Sequence, residues 1–466
     1  VIADRPRVRQ ACPGVAAPMS TGDGLLMRVR HPIGGLDAEQ AQTIAEVARR
    51  FGSGALELTS RGNLQLRGLD TADLEPARAE LENAGLADRD PAMEAVRNVL
   101  VAPVTDIDPE AAMDVQPVAR ALARALVQNP RLRALPPKVG VLVEAGGDLP
   151  LDGVAADLRL EACAGLGGVW FRVAVGASSR TATVLGWTRP EKVVDVALAV
   201  LERFVELREG EVDPPGRVAG AVARFGPNVL TPPGLERVLP GGDWVAARMP
   251  GCADAGMGTC LNGRAFGIAF PFGALRAEAL QGMAEHIRPH DGRLRLTPWR
   301  SLLLTGATPV ESDRLAEWDG VTDTGNPRLA VSACIGQAGC SAGSTPTRAD
   351  VETAGASARG LLVDGGHVHV SGCDKHCGRP ANAQVLLTAR EGRYDLSLQR
   401  APAQWETVLT GLGPGPGQVE PVLAALDTLA REERGANESR VEALQRLEAT
   451  ALARRMNAKM NNGDSA

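Results

Sequence analysis

The sequence predicts a mixed α+β fold built from two related halves. Three observations predict it. A stretch of the first half recurs in the second with matching residues in the same order. Each copy reads as an extended segment, a turn, a helix and two short alternating strands. The 53 glycines and 32 prolines among 466 residues call for many turns rather than a helical bundle. Residues 56–69, LELTSRGNLQLRGL, match residues 294–307, LRLTPWRSLLLTGA, with Leu56, Leu58, Thr59, Leu64, Leu66 and Gly68 recurring as Leu294, Leu296, Thr297, Leu302, Leu304 and Gly306. Upstream, HPIGGLDAEQ (31–40) matches PFGALRAEAL (271–280), with Pro32, Gly34, Leu36, Ala38 and Glu39 recurring as Pro271, Gly273, Leu275, Ala277 and Glu278.

Each element has a local reason. Leu25–Arg30 and Phe266–Phe270 are extended and stop at a Pro/Gly turn. Asp37 and Gln40 form a capping-box pair ahead of Ile44, Val47 and Ala48, whose spacing gives the helix one apolar face. Gly52 and Gly54 end that helix, and alternation predicts strands at Ala55–Thr59 and Leu64–Arg67. A longer mixed segment follows in each copy, with RNVLVAPV (97–104) and VGVLVE (139–144) in the first and RLAVSACI (328–335) and GHVHVSGC (366–373) in the second. A Pro- and Gly-rich region, 208–262, separates the halves. After Gly417 the pattern gives two terminal helices, and the polar residues 457–466 predict a disordered tail. Two look-alike halves are expected to enclose a site, because unlike polar residues stand at their matching places.

Hydrophobic residues make up 44% of the chain, enough for a sizeable core, and the length suggests about three domains or two lobes of a large one. No run approaches the ~18 apolar residues of a membrane span, and no export signal is visible, so a cytoplasmic protein is expected. A net charge of −6, no basic tract and few aromatics argue against nucleic-acid partners.

Eight cysteines stand at 12, 163, 252, 260, 334, 340, 373 and 377. Cys334 and Cys340 form a C-x5-C pair in ACIGQAGCSAG, and Cys373 and Cys377 a C-x3-C pair in HVSGCDKHCGRP. Four thiolates satisfy a [4Fe–4S] cubane at one per iron, and the surrounding glycines let backbone N–H groups approach the sulfurs. A zinc site or four buried thiols are the alternatives; zinc pairs prefer closer spacing, and buried thiols leave the glycines unexplained. Cys12 and Cys163 read as apolar filler. Cys252 and Cys260 straddle a Gly-rich loop and read as packing residues.

The ordered set of T-x-R-x-x-x-Q (Thr59, Arg61, Gln65), Arg97-Asn98-Val99, L-P-x-K ending at Lys138, and the two cysteine pairs resembles the sirohaem-dependent nitrite and sulfite reductases across most of 20–430. Within that superfamily, the short chain, the opening ACPGVAAPMSTGDGLLMRVR and HVSGCDKHCGRPA are most similar to the precorrin-3B synthases of aerobic cobalamin biosynthesis. The resemblance implies duplicated ferredoxin-like half-domains at 15–88 and 263–312. It also implies two sulfite-reductase-like α/β domains, 89–207 without a cluster and 326–434 with one, in a pseudo-two-fold arrangement. Residues 208–262 would be a linker and 435–466 a terminal helix with a polar tail.

The resemblance implies catalytic roles for Arg61 and Arg97, facing a tetrapyrrole, and for Lys138, the first of two substrate lysines. Gly140 stands where the second lysine belongs, which weakens the cationic cage that sulfite or nitrite needs. In the reductases the thiolate matching Cys377 also bridges the cluster to sirohaem. A cavity shaped for sirohaem suits precorrin-3A, a metal-free relative fringed with acetates and propionates. Arg61, Arg67, Arg97, Lys138, Arg300, Lys375 and Arg379 are candidates to hold those carboxylates.

The activity implied is a monooxygenase that hydroxylates precorrin-3A at C20 with lactone formation. Its partners would be dioxygen, a cluster relaying electrons and an additional non-haem iron. That iron's ligands are open; His367, His369 and His376 crowd the cluster motif. No dinucleotide or P-loop fingerprint is present, and GLGPGPG (411–417) is a Pro-broken loop, so a separate NADH-linked electron donor is expected. The alternatives are a sirohaem-dependent nitrite or sulfite reductase, and a non-catalytic iron–sulfur carrier or tetrapyrrole-binding protein.

Overall fold

Leu36 and Leu275 occupy matching places in the repeat, and the fold uses them symmetrically. The computed structural model describes residues 13–88, 90–239, 257–401 and 404–463. It is a mixed α+β structure with four sheets. Two compact units form, one drawn from Val1–Met19, Leu25–Ile268 and Leu275–Trp318, the other from Ser20–Gly24, Ala269–Ala274 and Asp319–Ala466. Cys12 and Cys252 lie outside the described residues.

In the first unit, each copy of the repeat makes the same antiparallel order of strands. Gly24–Val29, Leu64–Leu69 and Ala55–Leu58 run side by side in copy one, and Ala265–Ala269, Ser301–Thr305 and Arg293–Leu296 in copy two. The copies then exchange backbone pairing. Leu36 N–H donates to Leu294 O at 2.8 Å and Leu294 N–H to Leu36 O at 2.9 Å. Reciprocally, Ala277 N–H donates to Gly54 O at 2.9 Å beside the strand Ala55–Leu58. The helices Ala38–Phe51 and Ala277–Ile287 lie against each other, and Arg49 donates to Gln281 Oε1 at 2.9 Å. Ala38–Phe51 begins with the anticipated capping box and buries Ala41, Ile44, Ala45, Val47 and Ala48. Even the sharp turns correspond: Gly62 (φ +62°) and Arg300 (φ +60°) are both left-handed, which sets Arg61 opposite Trp299 in the repeat.

A second duplication, in the mixed segments that follow each copy of the repeat, shows in the topology. In the first unit Val99–Val101, Val141–Glu144, Leu158–Gly165, Gly168–Val175 and Thr183–Thr188 form one sheet, its first two pairings parallel and its last two antiparallel. In the second unit Val331–Ala333, Val368–Ser371, Val385–Arg390, Arg393–Ala401 and Gln404–Leu412 repeat that order and those directions. One face of each sheet is apolar. Helices Gln116–Gln128 and Val193–Glu206 cover Leu158, Leu160 and Phe171 in the first, and helix Pro416–Glu433 covers Val368, Val385 and Leu396 in the second.

Three expectations change. The Pro/Gly-rich region read as a linker contains the helix Val218–Phe225, whose Val218 and Ala221 enter the first unit's core together with Leu230. Its flanking prolines and glycines conceal an apolar face only eight residues long. The tail expected to be disordered is helical through Gly463, because Leu452 and Met456 bury against the second unit's core. Three helices, not two, follow Gly415: Pro416–Glu433, Arg440–Arg446 and Ala449–Gly463. Among the described residues no helix is long and apolar enough to cross a membrane.

Candidate functional site

The four clustered cysteines sit where two parallel strands of the second unit end. Cys334 follows Val331–Ala333, and its N–H donates to Val370 O on the neighbouring strand at 3.1 Å. Cys373 follows Val368–Ser371, where Ser371 Oγ donates to Cys373 O at 2.7 Å. Gly372 N–H donates to Cys334 Sγ at 3.1 Å, joining the two loops through a sulfur. Thr347 Oγ1 holds Cys334 O at 2.6 Å. Burial raises the Cys377 thiol pKa, and the charges of Cys334, Cys373 and Cys340 raise it further, so all four sulfurs share one electrostatic neighbourhood. A cationic centre such as iron would offset the mutual repulsion of four thiolates in this neighbourhood.

The loops fit a cluster at the backbone level. A Cβ on Gly336 would come within 2.5 Å of Thr345 O, one on Gly343 within 2.5 Å of Gly336 C, and one on Gly372 within 3.1 Å of Gly336 Cα. The loops therefore close backbone against backbone, and the Gly372 N–H reaches a sulfur, as the loops of an iron–sulfur site do.

Other sulfurs and histidines are engaged elsewhere. Burial pushes Cys163 and Cys260 up to about 11, so both stay protonated thiols at neutral pH. His369 is fully buried rather than solvated, and its Nδ1 and His367 Nε2 meet Ser332 Oγ at 2.9 and 3.1 Å. His376 Nε2 meets Thr388 Oγ1 at 3.0 Å. Among the described residues no three His, Cys, Asp or Glu side chains are arranged to hold a single metal ion, so no ligand set for the additional non-haem iron is found there.

The first unit carries the cationic residues. Arg97 and Lys138 immediately precede Asn98 O and Val139, at the entrance of two adjacent parallel strands, where Val141 N–H donates to Asn98 O at 2.9 Å. Arg61 Nη1 donates to Lys138 O at 3.2 Å, which brings two of the three predicted catalytic residues together. Arg97 Nε is held by Asp88 Oδ2 at 2.8 Å. A Cβ at Gly140 would lie 2.9 Å from Asn98 Nδ2, and Asn98 in turn donates to Val139 O at 2.9 Å. Any side chain at Gly140 would have to displace the Asn98 amide. Of the other candidates, Arg67 is buried against Glu57 at 3.3 Å rather than offered to a ligand. Lys375 is exposed, and Arg379 stacks over Trp405 at 5.1 Å.

Register identifies what replaces the cysteines in the first unit's sheet. Glu144 pairs with Glu161 as Ser371 pairs with Thr388, so the loop after Glu144 corresponds to the Cys373 loop. Glu144 Oε1 accepts N–H groups of Ala145 and Gly146 at 3.0 and 2.7 Å, and Oε2 that of Leu151 at 2.6 Å. The buried Glu144 carboxyl group fastens that loop through three backbone N–H groups.

Burial pushes the Glu144 carboxyl up to about 8, against the lowering effect of the Leu151 and Gly146 donors. Its folded-state affinity for a proton exceeds the unfolded one, so its contribution to stability is greatest at low pH and is lost as pH rises toward 8. Wild type should lose stability between about pH 5 and 8, by up to about 1.4 kcal/mol per pH unit from this group. Glu144→Gln should flatten that slope in urea unfolding, and equal slopes would refute the assignment.

Comparison with known proteins follows this geometry. Residues 17–84 match the family described as nitrite/sulfite reductase ferredoxin-like half domain, and 92–230 the nitrite and sulphite reductase 4Fe-4S domain. A precorrin-3B synthase from a Sinorhizobium species is 30% identical over 463 residues, covering 95% of this chain and 94% of that protein. The chain belongs to the precorrin-3B synthase family. Within the same superfamily, the chloroplastic ferredoxin–nitrite reductase of Spinacia oleracea is 24% identical, over 77% of this chain and 65% of its own. The solved structure of Mycobacterium tuberculosis NirA shares the fold, with a TM-score of 0.73 at 18% identity over 92% of this chain and 84% of its own.

Family membership supports an iron–sulfur cluster in this chain. The matched 4Fe-4S region contains only Cys163, so in this family member the cysteine set belongs to the second of the two like sheets. Sequence reasoning missed Asn98, Glu144, Asp157 and Arg217. The last two have no motif around them: Asp157 lies on the approach to a strand, and Arg217 in the stretch read as linker.

Proposed function

We propose that the protein is an oxygen-dependent precorrin-3B synthase, hydroxylating precorrin-3A at C20 and closing a γ-lactone from the ring A acetate. The full-length likeness to a precorrin-3B synthase carries this reading. Gly140, where the reductases' second lysine would stand, speaks for it against reduction of a small oxyanion. Cys334, Cys340, Cys373 and Cys377 would hold the [4Fe–4S] cluster, which supplies one-electron transfer. Arg61 and Lys138 would bind substrate carboxylates through charge-assisted hydrogen bonds and fix the macrocycle's orientation. Arg97, positioned by Asp88, would extend that grip. One oxygen atom enters the substrate and the other leaves as water, with two electrons and two protons supplied by an NADH-linked donor.

The test is incubation of anaerobically prepared, cluster-loaded protein with precorrin-3A, reductant and labelled dioxygen. One labelled oxygen atom is expected in the product. Unlabelled product would defeat the monooxygenase reading, and turnover of nitrite or sulfite with bound sirohaem would establish the reductase reading instead.

A further inference from the structure

We infer that Arg217 is a carboxylate-binding residue of the Arg61–Lys138 site, supplying the cation that Gly140 withholds. The inference rests on the tetrapyrrole reading above and names a residue that reading does not include. Arg217 Nη1 donates to the same Lys138 carbonyl oxygen that accepts Arg61 Nη1, so two guanidinium groups bracket the backbone of a third cationic residue. Arg217 keeps 38% of its side chain exposed while its Nη2 is fixed by Asp157 Oδ2 at 3.0 Å. Asp157, only 2% exposed, is itself anchored: Oδ1 accepts Val218 N–H and Oδ2 accepts Gly140 N–H, each at 3.1 Å.

The arrangement ties Arg217 to the position that lacks the lysine. Asp157 grips the Gly140 backbone with one carboxylate oxygen and the Arg217 guanidinium with the same atom. Arg61, Lys138 and Arg217 against Asp157 leave a local excess of two positive charges on a chain whose net charge is −6. A lysine is a point charge suited to a small oxyanion, whereas a pre-oriented guanidinium offers a planar fork to a carboxylate. Exchanging one for the other suits a substrate ringed by acetate and propionate groups.

The test uses the full-length, cluster-loaded protein and uroporphyrin as a polycarboxylate tetrapyrrole probe, with affinity read from fluorescence titration. Wild type should bind, Arg217→Gln should weaken binding at least about tenfold, and Arg217→Lys, which keeps the charge but loses the fork, should bind with an affinity between the two. The salt dependence of binding should become shallower in Arg217→Gln, a change that a merely structural role would not produce. Equal affinity and equal salt dependence in wild type and Arg217→Gln would overturn the inference while leaving the tetrapyrrole reading intact. Failure of wild type to bind uroporphyrin would overturn that reading and the inference with it.

Discussion

Cys373→Ser, prepared without oxygen, is expected to lose the visible absorption of the cluster and its iron and sulfide, and product formation should fall at least about a hundredfold. Removing even an outer partner of a metal ligand costs about 10–100-fold, and here a ligand itself is removed. A serine hydroxyl is far less acidic than a thiol and leaves one corner of a cubane without an anionic ligand. The fold should survive. Val331–Ala333 and Val368–Ser371 stay paired through backbone bonds, Thr347 still holds Cys334 O, and the apolar face beneath them is dense with valine and leucine. Far-ultraviolet circular dichroism should therefore match wild type. Full iron content in the purified variant would remove Cys373 from the ligand set.

What the sequence revealed depended on the range of the interaction. The capping box at Asp37 and Gln40 spans three residues and was readable because its two hydrogen bonds are local. The duplicated strands were readable because identical apolar positions recur in order. The cysteine pairs were readable because each sits on a short glycine-rich loop at a strand end. The second duplication was legible only as paired mixed segments and through the family resemblance, because the two five-stranded sheets share topology and register without sharing residues: Glu144 in one stands where Ser371 does in the other. Arg217 was hidden for the same reason, since only folding sets it beside Lys138, 79 residues away. The cationic candidates illustrate the limit. Arg61 stands at a motif position and Arg67 does not, but only the fold shows that alternation along one strand buries Arg67 against Glu57, while the turn before it places Arg61 at Lys138.

That limit is sharpest on the sheet face opposite the helices of the first unit, and it yields the largest stability effect. Leu158, Arg159, Leu160 and Glu161 alternate as a strand with one wet face would. The supposed wet face is buried: Arg159 is inaccessible to solvent, and Glu161 and Arg172 are each 3% exposed. Arg159 Nε donates to Glu161 Oε1 at 2.9 Å, its Nη2 to Leu151 O at 3.1 Å and its Nη1 to Val154 O, while Arg172 takes the other oxygen of Glu161. Arg159→Met keeps comparable apolar bulk but takes the guanidinium donor from Val154 O, leaves Leu151 O only the Val154 N–H at 3.0 Å, and leaves the Glu161 carboxylate with one partner. Breaking a buried pair in this way costs about 3–5 kcal/mol. The urea midpoint, followed by tryptophan fluorescence, should fall accordingly, while the iron and sulfide content of the folded protein should stay at the wild-type level because the cysteine loops belong to the other unit. Replacing Arg159, Glu161 and Arg172 together with apolar residues of similar volume should recover part of the loss: no charge of the triad then remains buried without a partner, although buried Asp152 gives up two of the three arginines that lower its pKa. A loss below about 1 kcal/mol in Arg159→Met, the range of an exposed ion pair, would show that water reaches this face and that the triad stabilises nothing.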